Sequence, residues 1–189
     1  ENSFQCVVTS PPYYLLRNYS EKSKQIGLES SPEKYVAKLV KVFRLVRFVL
    51  RKDGVLWLNL GDSFADKNFE GSGGIFEVKR KDLIGIPWMV ALALRADGWF
   101  LRSAVTWVKP NPLPSPVSDR PTSSTEMIFL LTKSDEYYYD SYAYLEAYSG
   151  NLKLNEVYKK QSIRSQEQLK ASGAVDPSKT KRSILESIK

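Results

Sequence analysis

A short and almost wholly apolar run, VLWLNL at Val55 to Leu60, constrains the fold of this 189-residue chain more than any other feature. Asn59 is its only polar residue. Continuous apolar runs of this length are typical of strands that are covered on both faces in a parallel sheet. An earlier apolar run, Phe4 to Val8, stops at a Pro-Pro pair and predicts another buried strand. Two such strands separated by a helical pattern indicate an α/β fold.

The segment between these two runs predicts a helix. Its apolar residues recur at three- and four-residue steps, namely Val36, Leu39, Val40, Phe43, Val46 and Leu50. Ser31-Pro32 is a residue pair that commonly begins a helix, and Asp53-Gly54 is expected to end this one. A second helix is predicted from Pro87 to about Ala96, with Gly98 as its C-terminal stop.

Three later segments complete the predicted topology. Trp99 to Val108 and Glu126 to Thr132 are predicted strands, and Tyr137 to Tyr139 is predicted to close a hairpin around Lys133 to Glu136. Between the first two strands lies a segment with five prolines in 13 residues, Lys109 to Pro121, which is too rich in proline for regular structure. We expect a stiff loop of the kind that carries function.

Composition excludes several classes of enzyme. The chain has no histidine and a single cysteine, Cys6, so it cannot build a Cys/His zinc site, use an imidazole base or close an internal disulfide. Zinc deaminases, Ser-His-Asp hydrolases and Cys-His proteases are therefore excluded. No apolar run approaches the ~18 residues of a membrane helix. The sequence has no signal-peptide pattern, and we interpret its start as a fragment boundary.

Positive charge is concentrated at the C-terminal end. The net charge is +7, and the last 39 residues, from Asn151, carry nine Lys or Arg against four Asp or Glu. This basic end is a candidate surface for a polyanion, and a solvated tail is an equally open interpretation.

The segment TSPPY, Thr9 to Tyr13, directly follows the first predicted strand and resembles the catalytic motif of amino-group DNA methyltransferases. That motif has Asp, Asn or Ser followed by Pro-Pro and an aromatic residue. Later segments resemble the family's successive blocks in the same order, and the resemblance covers roughly residues 4 to 140. These blocks are Glu33 to Val36, Arg51 to Gly54, Leu56 to Asp62, Asp82 to Pro87, Trp107 to Pro112, Asp119 to Pro121, Glu126 to Phe129 and Tyr137 to Asp140.

The resemblance implies an α/β fold, a Rossmann-like class I methyltransferase sheet with helices on both faces, here incomplete. Residues 1–140 would form the catalytic-side half of the core. Residues 141–189 would be a basic segment at the start of a target-recognition region. The implied cofactor is S-adenosylmethionine and the implied substrate is double-stranded DNA. A restriction endonuclease partner in a restriction-modification system, no membrane association and a cytoplasmic location of bacterial, archaeal or phage type are also implied.

The chemistry explains the residue types of the motif. The lone pair of an exocyclic amine is delocalised into the base, so the site must accept the N–H hydrogens and direct that pair towards the methyl donor. The Ser10 hydroxyl and the Pro11 carbonyl are the expected acceptors, with Pro11 and Pro12 fixing the carbonyl direction. The Tyr13 ring is expected to stack on a base flipped out of the duplex, with no role for its hydroxyl. Thr9, Ser10 and Pro11 are also expected to border the cofactor.

The same resemblance implies DNA contacts for residues of the proline-rich loop, and it bears on which base is the target. Lys109, Asn111 and Arg120 are expected near DNA. Carbon-5 cytosine chemistry needs a cysteine nucleophile next to proline, whereas Cys6 follows Gln5 in a strand and is expected to be buried and inert. Serine at the first motif position favours cytosine N4 over adenine N6 as the target.

The chain resembles the family subclass in which the catalytic motif precedes the cofactor motif. In that subclass a glycine motif is expected near the C-terminus, and none is recognisable there. Phe69 to Gly73 matches it by letter, but neither an apolar strand before it nor a clear helix after it supports the match, so we interpret it as a flexible loop. Two alternatives to an active DNA methyltransferase therefore stay open: a non-catalytic DNA-binding remnant or fragment, and a protein-glutamine methyltransferase. The glutamine enzymes begin the motif with Asn, so Ser10 argues against them.

Overall fold

Four strands and two helices follow one another in a computed structural model, which describes residues 1–18, 25–65, 69, 77–115 and 117–140. They are β1 (Phe4–Thr9), α1 (Pro32–Val49), β2 (Leu50–Leu60), α2 (Ile86–Ala96), β3 (Phe100–Val108) and β4 (Thr125–Thr132). All of them lie in a compact unit, Glu1–Tyr138. The predicted basic segment and both glycines of the Phe69 to Gly73 segment lie outside the described residues.

The strands form one mixed sheet in the order β1-β2-β4-β3. β1 and β2 are parallel, and β4 pairs antiparallel with β2 on one side and with β3 on the other. A parallel pair joined through α1 confirms the α/β prediction. Neither described helix is long and apolar enough to cross a membrane.

Helix α1 begins where its capping residues predict. The Ser31 hydroxyl accepts a hydrogen bond from the Lys34 amide at 3.3 Å, and Pro32 is the first helical residue. The predicted end at Asp53-Gly54 is wrong, because the helix ends at Val49 and these two residues lie inside β2. Fully buried Leu50 already adopts an extended backbone and pairs with β1, so pairing in the sheet replaces the last predicted turn of helix.

The predicted apolar strand lies at the centre of the core. Leu56, Leu58 and Leu60 of β2 are fully buried, and Leu56 and Leu58 lie opposite Leu131 and Phe129 of β4. Helices α1 and α2 pack against each other and share one hydrophobic cluster with this face of the sheet. Because side chains alternate along a strand, Asn59 faces the opposite side of the sheet.

Strand β1 exists as predicted but is not buried. Phe4 is 56% exposed, Val8 is 76% exposed, and Cys6 is exposed as well. The reason is that, among the described strands, β1 lies at the edge of the sheet with a single neighbour, a position that local sequence does not reveal. The expectation of a buried Cys6 is therefore wrong. Its partial desolvation still raises the pKa of the thiol, which disfavours the thiolate that a nucleophile needs.

The C-terminal half of this unit agrees with the prediction except at its end. Gly98 has a φ of +98° just after α2, as expected for a helix stop. Tyr137 to Tyr139 do not form the predicted strand of a hairpin. Both edges of β4 are already paired, so no hydrogen-bonding edge is left for them, and the Tyr138 amide instead donates to the Asp53 carbonyl at 3.1 Å.

Candidate functional site

The segment Thr9 to Tyr13, called the motif segment below, begins at the carboxyl end of β1. Thr9 pairs with Leu58, so the segment emerges beside the carboxyl end of the parallel strand β2. In α/β sheets this edge is where ligands bind. Ser10 is exposed, while Pro11 and Pro12 are half-buried. The hydroxyl of Ser10 is therefore accessible at the edge of the sheet.

Buried tyrosines stabilise the position of the motif segment. The Tyr35 hydroxyl of α1 donates to the Pro12 carbonyl at 2.9 Å. The rings of Tyr35 and Tyr14, both buried, lie with centroids 5.4 Å apart. The Ser63 hydroxyl donates to the Tyr14 carbonyl at 2.5 Å. Burial raises the pKa of Tyr35, so its hydroxyl stays a protonated donor.

Two glycines let the backbone come close to Tyr13. A Cβ atom at Gly27, whose φ is +105°, would lie 2.8 Å from the Tyr13 carbonyl oxygen. A Cβ atom at Gly61, directly after β2, would lie 2.6 Å from Cε2 of the Tyr13 ring. Only glycine leaves room for these contacts. The ring is therefore seated against the end of β2.

The Tyr13 hydroxyl belongs to a polar cluster with Asn59, Lys109 and Glu126, which we call the carboxylate cluster. The hydroxyl donates to Glu126 Oε2 at 2.7 Å. Asn59 Nδ2 donates both to the Tyr13 hydroxyl oxygen at 2.9 Å and to Glu126 Oε2 at 2.8 Å. Lys109 forms an ion pair with Glu126 Oε1. Four segments that are distant in the sequence thus meet at one carboxylate.

The Glu126 carboxylate is ionised in this cluster. Burial by itself raises its pKa, but hydrogen bonds from Lys109, Tyr13 and Asn59 outweigh this effect and hold the pKa below its usual value. Asn59 Oδ1 is also buried, and within the described part of the chain it has no hydrogen-bond partner. The cluster therefore contains an ionised Glu126 carboxylate whose charge is compensated by Lys109. It also contains one amide oxygen, Asn59 Oδ1, without a hydrogen-bond partner among the described residues.

Asp62 follows β2 and ties its end to helix α2. Its carboxylate accepts the backbone N–H groups of Ser63 at 2.9 Å and of Gly85 and Ile86 at 3.0 Å each. Gly85 is the N-cap of α2 and has no side chain to cap it, so Asp62 supplies the cap from a distant segment. Burial raises the pKa of Asp62, and this effect exceeds the lowering by its three backbone donors.

The residues predicted to lie near DNA are divided between two places. Lys109 joins the carboxylate cluster beside Tyr13. Asn111 is exposed on the proline-rich loop, residues 109–121. The Arg120 guanidinium carbon lies 3.4 Å from the centroid of the Phe64 ring, and its neighbour Asp119 forms an ion pair with Lys81 at 2.6 Å. The structure thus brings Lys109, but not Arg120, to the carboxylate cluster.

Sequence reasoning gave no role to Asn59, Glu126, Tyr35 or Gly61. A signal existed for Asn59, because a single polar residue within an apolar strand needs a polar partner. The sequence places Glu126 at the start of a predicted strand and of a family block, without a role. Its role depends on contacts across 113 residues of sequence to Tyr13, which no local pattern contains.

The border of the S-adenosylmethionine site, which the resemblance assigns to Thr9, Ser10 and Pro11, stays a prediction. Thr9, Ser10 and Pro11 lie partly or fully exposed at the carboxyl edge of the parallel strands. A tight glycine turn with an acidic residue for the ribose is not found in the described ranges. Among those same residues, no group of His, Cys, Asp and Glu could hold a metal ion.

Fold comparison identifies the class of protein. The PvuII DNA methyltransferase (cytosine-N4-specific) aligns at a TM-score of 0.55 and 18% identity, over 82% of this chain and 55% of that one. TTHA0409 from Thermus thermophilus, a putative DNA modification methylase solved as a complex with S-adenosyl-L-methionine, aligns at a TM-score of 0.52 and 22% identity, over 76% and 53%. This likeness confirms the fold as that of class I methyltransferases, present here in part.

The sequence then identifies the family. The chain belongs to the DNA methylase family, whose sequence profile matches residues 4–185. It is 48% identical over 152 residues to the Type II methyltransferase M.SmaI of Serratia marcescens, which is 72% of this chain and 52% of that protein. The predicted resemblance to amino-group DNA methyltransferases is confirmed, and the subclass defined by motif order stays a prediction. The chain spans about half the length of M.SmaI and of the Type II methyltransferase M.Cfr9I of Citrobacter freundii.

Proposed function

We propose that this chain carries the catalytic side of an S-adenosylmethionine-dependent DNA methyltransferase that modifies an exocyclic amine. The observation that carries the proposal is the exposed Ser10 hydroxyl, at the end of a parallel strand in a segment held by buried side chains. Membership of the DNA methylase family and similarity to a Type II methyltransferase support it. The proposed substrate is double-stranded DNA, and the proposed location is the cytoplasm.

The motif segment would direct the amine. The Ser10 hydroxyl oxygen and the Pro11 carbonyl accept the two N–H hydrogens, so that the nitrogen lone pair points away from the ring of the base. Tyr35 holds the Pro12 carbonyl through its 2.9 Å hydrogen bond, which keeps the Pro-Pro backbone in one orientation. S-adenosylmethionine, when bound along Thr9 to Pro11, supplies the methyl group.

Cytosine N4 is the proposed target atom. Serine at the first motif position supports this choice, as does the fold of the PvuII enzyme, which is cytosine-N4-specific. The base would be flipped out of the duplex onto the Tyr13 ring, because the amine cannot be reached inside the helix. Asn111 and Arg120, with the basic residues after Asn151, are proposed phosphate contacts. A restriction endonuclease that cuts the same sequence is the proposed partner.

Methyl transfer by the whole protein tests this proposal. Duplex DNA is incubated with methyl-labelled S-adenosylmethionine and digested, and the modified nucleoside is identified by mass spectrometry. We expect N4-methylcytosine, and a loss of rate of about 100-fold in Ser10→Ala, which removes one acceptor at the reacting amine. Ser103→Ala, at an exposed serine of β3, is the matched control and should keep the rate.

Each other result overturns a stated part of the proposal. N6-methyladenine alone would reject the cytosine target. A methylated glutamine in protein, with unmodified DNA, would reject DNA as the substrate. Salt-sensitive duplex binding without any methyl transfer would identify a non-catalytic DNA-binding remnant.

A further inference from the structure

The carboxylate cluster points to a function for three residues that the motif does not contain. We propose that Glu126 and Asn59 are positioning residues that orient the Tyr13 ring, and that Lys109 acts on Glu126 instead of on DNA phosphate. The effect on methyl transfer rests on the function proposed above, whereas the contacts themselves do not.

The Tyr13 ring is held on its Cδ2–Cε2 side and at its hydroxyl. Its Cε2 edge is seated against Gly61, where a Cβ atom would lie at 2.6 Å. Its hydroxyl is bound at 2.7 Å and 2.9 Å by Glu126 and Asn59. A tyrosine side chain has two rotatable torsions that place its ring, and contacts at the ring side and at the hydroxyl together restrict both. The ring plane is therefore set before any base arrives, which lowers the entropic cost of stacking.

The sheet itself positions the two side chains that bind the hydroxyl. Asn59 lies opposite Ile128, and Glu126 is two residues before Ile128 on the same strand. Both side chains therefore face the same side of the sheet, opposite the one covered by the helices. Neighbouring strands lie about 5 Å apart, so this spacing lets the Asn59 amide reach both the hydroxyl and the carboxylate.

Lys109 completes the cluster electrostatically. The Glu126 side chain is only 11% exposed, and a carboxylate removed from water needs a compensating cation. Lys109, which follows β3, pairs with Oε1, while Tyr13 and Asn59 occupy Oε2. Both carboxylate oxygens are then engaged by protein donors. A lysine whose charge compensates a buried carboxylate has less charge left to neutralise a DNA phosphate, because the two anions share one cation.

Double-mutant kinetics in the whole protein test the positioning role. Tyr13→Phe and Glu126→Gln should each lower kcat by about tenfold, which corresponds to one hydrogen bond to a charged group. The double variant should be no slower than the slower single variant, because both changes break the same link. Asp97→Asn is the matched control, since Asp97 is an ion-paired carboxylate at the opposite end of β3 and should leave kcat unchanged. Multiplicative losses in the double variant would overturn the proposal.

Lys109→Met separates positioning from DNA contact. A phosphate contact would reduce the salt slope of duplex affinity by about one unit, whereas a positioning role leaves the slope unchanged. The groups facing Glu126 are Lys109, Tyr13 and Asn59, so without Lys109 burial prevails and its carboxyl protonates at higher pH. The kcat of Lys109→Met should therefore fall at a higher pH on acidification than the wild-type kcat does, because the Glu126 carboxyl has lost the cation that lowers its pKa. A changed salt slope with an unchanged pH profile would contradict the role.

A stability measurement, which needs neither DNA nor cofactor, tests this inference separately from the proposed function. The unfolding free energies of Tyr13→Phe, Glu126→Gln and the double variant are compared by urea unfolding. Coupling of about tenfold in the unfolding equilibrium constant would support the link between hydroxyl and carboxylate, even if wild-type protein transferred no methyl group. Additive effects would overturn the link, whatever the enzyme assay shows.

Discussion

The motif segment and the proline-rich loop are both stiffened by proline, yet they are held in different ways. Around the motif segment, Tyr14 and Tyr35 are buried, and hydrogen bonds to the Pro12 and Tyr14 carbonyls come from α1 and from the end of β2. The proline-rich loop is largely exposed, with Leu113 at 88%. Lys109 at its start belongs to the carboxylate cluster, and beyond Lys109 exposed contacts hold the loop, such as the ion pair between Lys81 and Asp119.

The difference shows that proline restricts a backbone without determining where it lies. Five prolines limit the conformations of residues 109–121, but surface charge pairs of the kind found there contribute little to stability. Two prolines suffice in the motif segment because distant buried residues fix its position. Substitutions around the motif segment should therefore cost more than substitutions along the proline-rich loop.

The largest effect is expected from Gly61→Ala. The new methyl group would lie 2.6 Å from the Tyr13 ring, so the ring must move and its hydroxyl must leave Glu126. Overpacking of this kind costs about 1–3 kcal/mol of unfolding free energy. Urea unfolding measures the loss, and methyl transfer should decline with it. In a Tyr13→Ala background the same substitution should cost little, and a full loss there would show that the close contact is not the cause.

Tyr35→Phe should have an intermediate effect. It removes the donor to the Pro12 carbonyl while keeping the buried ring, at a cost of about 1 kcal/mol. Thermal unfolding and the rate of methyl transfer are the measurements. Tyr137→Phe removes the exposed hydrogen bond that Arg102 Nε donates to the Tyr137 hydroxyl, and it serves as the matched control. Equal losses of stability in the two variants would show that the buried hydrogen bond stabilises the protein no more than the exposed one.

The smallest effect is expected in the proline-rich loop. Arg120→Ala removes the contact between the guanidinium and the Phe64 ring. Cation–π contacts at exposed sites contribute about 0.5–1 kcal/mol to stability. Lys81→Met, which breaks the exposed ion pair with Asp119, should leave the unfolding midpoint unchanged within error. If either variant destabilised the protein as much as Gly61→Ala, this loop would be as firmly held as the motif segment.

Much of the fold could be predicted from the sequence. Ser31-Pro32 located the start of α1, and the apolar periodicity after it predicted the helix. Gly98 located the end of α2, and VLWLNL predicted the central strand. The motif segment was recognised where it lies, directly after β1. These features depend on neighbours within a few residues, so the physical cause is contained in the local sequence.

Only the tertiary structure decided the rest. β1 is exposed because it is an edge strand, α1 stops at Val49 because Leu50 pairs in the sheet, and Tyr137 to Tyr139 stay outside the sheet because β4 has both neighbours. In the carboxylate cluster, Tyr13 contacts residues that are 46 and 113 positions away. Such contacts depend on which strands become neighbours. That choice is made by the burial of whole faces of the sheet, so the residues that touch Tyr13 became visible only once the strands were paired.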